Sequence, residues 1–437
     1  MNASRGSTIA GRHRRRLSGR CQVPSDKSIS HRAAILAACS PGTSEITNFS
    51  PAWDCRASLA LVGSLGCQVS QTGSRVAITG LAASVVPRPP VGAIDCGRSG
   101  TTMRLGAGLA AGLPLTLQLT GHPQLLRRPM ERVAAPLRRM GAKVTTAPGG
   151  RPPIDIRGGG LNGIEYVPSP SSAQVKSAVL IAGLRASSPT TVVEPVPTRD
   201  HTERMLAAMG ANIEEADAGR GRSIRLEPGT LSPLRLSIPG DASSASVLAA
   251  AVALVPGSEV VLERVSGNPT RTQFFTVLAQ MGTSVEFMSA TDSMGPEPVT
   301  DIWVRQRPLT AVPIAANDVP LLIDELPLIG LLATAAEGVT EVRGAAELRT
   351  KESDRIAGLV AGLRALGADA EELEDGFLVR GPTQLRGGLC DALTDHRLAM
   401  TFTLAGLVSS GVVGVTGSEF IADSFPGFFT SLRELSA

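Results

Sequence analysis

Aromatic side chains are scarce in this chain. They make up 3% of its 437 residues, with one Tyr and two Trp. Binders that stack nucleic-acid bases depend on such rings, so that class is disfavoured. The cores must instead be aliphatic. Long apolar runs are also lacking. No stretch reaches the roughly 18 residues of a membrane-spanning helix, and the nearest, SVLAAAVALV, is broken by Pro256 and Gly257. The six cysteines (Cys21, Cys39, Cys55, Cys67, Cys96 and Cys390) form no C-x-x-C pair and do not cluster with histidine. No zinc pattern results, and the thiols read as reduced, small, buried residues of a cytoplasmic protein. Neither G-K-S nor G-K-T occurs, and GAGLAAG has the wrong spacing for a dinucleotide fingerprint. The net charge of +3 is too small to imply a polyanionic partner. The one basic block, GRHRRRLSGR at 11–20, reads as a solvated N-terminal arm. Its Arg-rich, acid-free character also fits a transit peptide, whereas a secretory signal would need an apolar region after it.

What the chain has is aliphatic bulk and internal repetition. At 43% hydrophobic and 19% charged it can bury sizeable cores. Segments 42–70, 188–215, 257–286 and 338–371 share one pattern. A short β-branched strand leads through a polar loop to an amphipathic helix ending in Leu-Gly or Met-Gly, then to another strand. The glycine sits where a helix C-terminus favours it. Residues 130–144 repeat the helix–Gly–strand half. QVPSDKSISHRAAILAA and SIPGDASSASVLAAAVAL also pair, each running from strand to polar turn, Asp, serines and helix. The expectation is an α/β protein of two halves, each with three βαβ-like units, the second starting near Leu234–Gly240. Clefts between such lobes are preferred ligand sites.

Chemistry gathers at the turns before apolar helices. In PSDKSISHR, Ser25 or Asp26 can cap the helix that follows, but a cap does not explain Lys27 and Arg32. A helix N-terminus attracts anions and repels cations, so cations there make sense around a bound anion. Asp26 and His31 read as local structure. In DCGRSGTTMRL the glycines Gly97 and Gly100 let backbone approach a ligand, with Arg104 a turn later. LLRRPMERV offers Arg127 and Arg128, which alone fit solvated surface. PSSAQVKSA offers Gln174 and Lys176. TRDHTERM offers Arg199, with Thr198 or Asp200 as cap. In LLIDELP, Asp324 is either an N-cap or a tuned base. LRTKESDR holds Lys351, Glu352 and Arg355, and LTDHRLAM holds Asp395, His396 and Arg397. PGDASSAS repeats the turn of PSDKSISHR without a cation of its own. If these mouths face one cleft, they form an anion-attracting pocket with one or two proton-transfer residues and no metal.

Nine ordered motifs across residues 18–434 resemble the 5-enolpyruvylshikimate-3-phosphate synthase family of enolpyruvyl transferases. They are SDKSISHRA, SGTTMR, RRPM, SSAQVKSA, RDHTE, PGDASSA, IDELP, KESDR and DHRLAM. SAQVK and RDHTE resemble the bacterial branch noted for glyphosate-insensitive members. The resemblance implies a two-lobed inverse α/β barrel-like fold, each lobe of three βαβαββ-like units. It places 23–235 in the first lobe and 1–22 with 236–437 in the second, joined by two crossover strands. It implies transfer of the enolpyruvyl group of phosphoenolpyruvate to the 5-hydroxyl of shikimate 3-phosphate, without cofactor, metal, nucleic acid or membrane, by a monomer.

By the same resemblance, Lys27, Ser28, Arg32, Ser172, Ala173, Gln174, Arg199, Asp324 and Lys351 would hold shikimate 3-phosphate. Lys27, Gly100, Arg128, Gln174, Arg355 and Arg397 would hold phosphoenolpyruvate. Arginine suits both anions because it binds phosphate and carboxylate in bidentate fashion. Glu352 is the expected acid toward the enol carbon, Asp324 the base toward the hydroxyl, and Lys27 a charge stabiliser. His396 would assist or position. The chain departs from the family at Arg98, where Asn is usual, and at Asp423, where many members carry Lys. Gly100 lacks the methyl with which insensitive members crowd glyphosate, so sensitivity is expected. Relatives that act on UDP-amino sugars carry a loop cysteine near GHPQLLRRP, and none is present here. The alternative is a paralogous enolpyruvyl transferase acting on another cyclic alcohol or on a UDP-amino sugar.

Overall fold

The computed structural model describes residues 7–10, 15–81, 89–219, 221–289 and 294–436. Residues 11–14 of the basic block lie outside them. The chain divides into two compact units. One comprises Ser25–Ile238 with Ser293–Glu297, and the other Met1–Pro24, Pro239–Asp292 and Pro298–Ala437.

In the Ser25–Ile238 unit, three four-stranded sheets follow one plan. The second repeat shows it in sequence order. Strand Ile94–Asp95 leads to helix Gly100–Ala111, strand Thr116–Thr120, helix Glu131–Arg139, and the hairpin Lys143–Ala147 and Arg151–Arg157. The first strand pairs parallel with Thr116–Thr120 and the hairpin closes antiparallel. The third repeat, from Glu165–Tyr166 to Arg222–Leu226, is built alike. The first repeat takes its parallel strand, Arg235–Ser237, from the far end of the unit's sequence.

The other unit mirrors this. Ser18–Gln22 pairs parallel with Glu259–Ser266, although it directly precedes the helix Lys27–Ala38 of the first unit. Its remaining sheets are three-stranded. One lacks a full parallel strand and has single bridges at Thr310 and Ile314 instead. The last gains Ser7–Ala10 as an antiparallel edge.

The first helix of each repeat is apolar around most of its circumference because it is enclosed. Ala242–Leu254 is buried at every position, and Leu326–Ala333 likewise. Each unit therefore has its own aliphatic core. One centres on Ile29, Leu36, Leu105 and Leu180, the other on Leu248, Leu331, Phe377 and Phe402. Burial at about 25 cal/mol per Å² of apolar surface is the main stabilising contribution. Close packing depends on small residues at the contacts. A Cβ on Gly108 would lie 2.3 Å from the Ala178 carbonyl, so the helices Gly100–Ala111 and Ala173–Gly183 approach to backbone contact. All six cysteines are buried and reduced. Among the described residues, no helix is long and apolar enough to cross a membrane.

Candidate active site

In the Ser25–Ile238 unit, the mouths of the three enclosed helices are tied together by side chains. Asp26 caps the first, accepting from the Ile29 amide at 2.9 Å. That fixes the turn from which Lys27 projects, and its Nζ pairs with Asp54 at 3.0 Å. Lys27 is half-buried, with 19% of its side chain exposed, so it can reach a ligand. Arg32, only 2% exposed, lies one turn deeper. It donates to Thr202 Oγ1 at 2.9 Å, Ser177 Oγ at 3.1 Å and the Ser28 carbonyl at 3.1 Å. It thus bridges the first helix to the helices Ala173–Gly183 and His201–Ala208.

His31 makes a second bridge. Its Nδ1 meets Ser58 Oγ at 2.7 Å, Ser58 meets Thr102 Oγ1 at 2.8 Å, and Thr102 donates to Ser99 Oγ at 2.9 Å. Ser99 caps the helix Gly100–Ala111. Burial pulls the His31 ring down to about 3, so it is neutral at physiological pH. The expectation that Asp26 and His31 are structural holds.

The third bridge runs through Arg104, which donates to Gln174 Oε1, while Gln174 Nε2 donates to Thr101 Oγ1 at 2.9 Å. Arg104 also reaches the Pro129 carbonyl at 3.3 Å. A Cβ on Gly100 would lie 2.8 Å from Arg128 Nη1 and 3.1 Å from Arg104 Nη1. Both guanidinium groups therefore stand at the mouth of the Gly100 helix, and a methyl there would push against them. Gly97, at φ +58°, makes the preceding turn. Ser172, Ala173 and Gln174 open the third helix, half-buried. Ser172 is at the cap position but accepts no cap hydrogen bond. Arg199 lies in the adjacent loop, which the Ser171 hydroxyl holds at the Val196 amide at 3.4 Å. The structure thus brings Lys27, Ser28, Arg32, Gly100, Arg128, Ser172, Ala173, Gln174 and Arg199 onto one set of linked helix mouths.

The other unit has a different charge pattern. Arg355, 2% exposed, is the hub. Its Nε donates to Asp395 at 2.8 Å, its Nη1 to Asp324 at 3.3 Å and its Nη2 to Glu352 at 2.6 Å. Burial pulls the guanidinium down, but the carboxylates of Asp395, Glu352 and Asp324 outweigh it, and Arg355 is held protonated. Asp395 is fully buried and also caps the helix His396–Val408, accepting from the Arg397 amide at 2.8 Å. Asp324 and Glu352 remain 20% and 24% exposed, so these two are the reachable carboxylates. Lys351 pairs with Glu347 at 2.8 Å. His396 is buried and Arg397 half-buried at the same mouth.

Two readings are corrected here. Asp324 is not an N-cap. Glu325 holds the cap position of Leu326–Ala333, and Asp324 turns to Arg355 instead. Asp200 occupies a cap position but makes no cap hydrogen bond, because its carboxylate takes Arg204 Nε at 2.8 Å.

The PGDASSAS mouth does have a cation, and sequence reading missed it. Arg271, 4% exposed, donates to Asp241 at 3.1 Å and to Ser243 Oγ at 2.9 Å, and Ser243 donates to Glu325. In the first repeat of one unit, the central helix carries the cation Lys27 and the following helix the anion Asp54. Here the cap Asp241, the counterpart of Asp26, takes Arg271 from the loop before the next helix. No local sequence signal marks Arg271. Only the repeat register could have placed it. Among the described residues, no group of three or more potential metal ligands occurs.

The sequence profile of the family described as EPSP synthase (3-phosphoshikimate 1-carboxyvinyltransferase) matches residues 12–432. A 3-phosphoshikimate 1-carboxyvinyltransferase of Halorhodospira halophila is 45% identical, over 96% of this chain and 94% of its own. One from Sulfurihydrogenibium is 42% identical over 97% and 98%. The solved EPSP synthase of Acinetobacter baumannii superposes with a TM-score of 0.85 at 38% identity, covering 98% of both chains. The enolpyruvyl transferase NikO of Streptomyces tendae, at 18% identity and a TM-score of 0.75, shares the fold.

Proposed function

The chain belongs to the EPSP synthase family, and on that premise we propose how its residues carry out the reaction of that family. The reaction joins the enolpyruvyl group of phosphoenolpyruvate to the 5-hydroxyl of shikimate 3-phosphate and releases phosphate.

The observation that carries the assignment of roles is the Arg355 hub. One buried cation holds a buried carboxylate, Asp395, and two reachable ones, Asp324 and Glu352. Each Nη of Arg355 has a second proton to donate. A carboxylate of phosphoenolpyruvate bound there, with Arg397 at the same helix mouth, would be set beside an acid and a base. Glu352 protonates the methylene carbon, which leaves the neighbouring carbon electron-poor. The 5-hydroxyl attacks that carbon as Asp324 takes its proton. The tetrahedral adduct then expels phosphate, a methyl proton returns to Glu352 to give the enol ether, and the proton on Asp324 leaves with the phosphate. Lys351 and Asp324 hold the ring substituents from this unit.

In the other unit, Lys27, Ser28, Arg32, Ser172, Ala173, Gln174 and Arg199 are assigned to shikimate 3-phosphate. Lys27, Gly100, Arg128 and Gln174 are assigned to phosphoenolpyruvate. The supporting argument is electrostatic. Helix N-termini and cations both favour the phosphates. Arg32 has Nε, Nη1 and Nη2 engaged internally, so its contribution is chiefly charge and support of the mouth. Gly100 puts no methyl into this space, which predicts sensitivity to glyphosate.

The test is phosphate release by the purified protein. Release should require phosphoenolpyruvate and shikimate 3-phosphate together. Turnover only when a UDP-amino sugar or another cyclic alcohol replaces shikimate 3-phosphate would overturn the substrate assignment.

A further inference from the structure

A second cluster of buried charges has no part in the chemistry above. Lys176 sits on the helix Ala173–Gly183 and is fully buried. Its Nζ pairs with Glu194 at 2.8 Å and with Glu203 at 2.6 Å, both also buried. Arg222 Nη2 pairs with the same two carboxylates at 3.1 and 3.2 Å. Burying Lys176, Glu194 and Glu203, with Arg222 at the edge of the cluster, is costly and adds little net stability compared with apolar packing. Their placement suggests another use. Glu194 ends a strand and Glu203 lies in the first turn of the next helix. The loop between them carries Arg199.

That loop is held on both sides of Arg199. Thr198 donates its hydroxyl to Glu194, and its carbonyl accepts from Arg222 Nη2 at 3.3 Å. The Val196 amide meets Ser171 Oγ at 3.4 Å. Asp200 is held by Arg204 at 2.8 Å, and His201 Nδ1 meets Glu297 at 2.7 Å. Arg199 itself is half-buried. A flexible loop would lose ordering entropy each time its arginine engaged an anion, and a fixed one does not.

We propose that Lys176, Glu194, Glu203, Arg222 and Thr198 are positioning residues that pre-set Arg199 for the phosphate-bearing acceptor. The proposal rests on the assignment of Arg199 to shikimate 3-phosphate given above.

The experiment is steady-state kinetics on the full chain with both substrates varied. The variants are Thr198→Val, the double variant Lys176→Met/Glu203→Gln, and Arg199→Ala. Thr198→Val keeps the side-chain shape and removes only the clip. The double variant removes a buried pair together, so neither charge is left orphaned. The expected result is a rise in KM for shikimate 3-phosphate of about tenfold in both, since small misplacements of a binding group are costly. KM for phosphoenolpyruvate should stay within about twofold. If Arg199→Ala raises KM for shikimate 3-phosphate and the two network variants leave it unchanged, the positioning role is overturned and the network is structural. If Arg199→Ala itself leaves that KM unchanged, the assignment of Arg199 falls, and the positioning role with it. Should the double variant not fold, Thr198→Val decides alone.

Discussion

Single residues carry much of the account, and they differ in what losing them should do. Lys27 and Asp54 form a partly exposed pair, and such pairs are worth at most ~1 kcal/mol. Lys27→Ala should therefore leave the thermal midpoint within a few degrees of the parent. Its kcat should fall by on the order of a hundredfold or more, as when a preorganised charge is removed from a transition state. A large loss of midpoint with activity preserved would make Lys27 structural. Arg355 is the opposite case. Arg355→Met leaves Asp395 buried without its cation, which should cost ~3–5 kcal/mol in urea unfolding. Gly100→Ala should fold, because the atoms its methyl meets are the ends of arginine side chains. KM for phosphoenolpyruvate should rise about tenfold, equivalent to ~1.4 kcal/mol.

His31 gives a pH dependence. The unfolded ring takes a proton near pH 6.5 and the folded one only near 3. Between these values the unfolded state binds more protons, so stability falls as pH drops, by up to ~1.4 kcal/mol per unit. Urea titrations at pH 7 and pH 5 should show this loss, and His31→Gln should reduce it.

At the scale of elements, the helix mouths explain why much of the site was legible and some was not. The motifs around Lys27, Gly100, Glu352 and Arg397 each combine a turn, a cap and a charge, and local chemistry reveals all three. The caps at Asp26, Asp354 and Asp395 follow the ordinary preference. The caps at Asp200 and Glu325 do not, because a nearby arginine or serine competes for the carboxylate. In sequence Arg32 reads as an anion ligand, Lys176 as a residue of a helix mouth, and Arg271 carries no signal. Their partners are distant along the chain, so only the fold shows them to be struts. The α/β repeats were legible because each strand–helix–Gly–strand unit is local. The exchange of Ser18–Gln22 and Arg235–Ser237 between repeats is a long-range pairing that no local pattern specifies.

One element is strained where it meets the site. Leu393 and Thr394 both have left-handed backbone, at φ +52° and +59°, just before Asp395. Such a conformation costs of order 1–3 kcal/mol for a residue with a side chain. Thr394→Gly should raise the unfolding midpoint and, by loosening the turn that delivers Asp395, lower kcat. A lower midpoint would show that the Thr394 side chain stabilises the turn.

Across the whole molecule, the two units share one scaffold and arrange their charges differently. One gathers cations at linked helix mouths, the other gathers carboxylates around a buried arginine. That division suits a reaction that must bind anions and also move protons. The central claim is enolpyruvyl transfer, and the most direct measurement is NMR of the protein with equimolar phosphoenolpyruvate and shikimate 3-phosphate. Inorganic phosphate should appear in the phosphorus spectrum as vinyl protons of a new enol ether appear in the proton spectrum. Unchanged shikimate 3-phosphate, with or without breakdown of phosphoenolpyruvate, would contradict it.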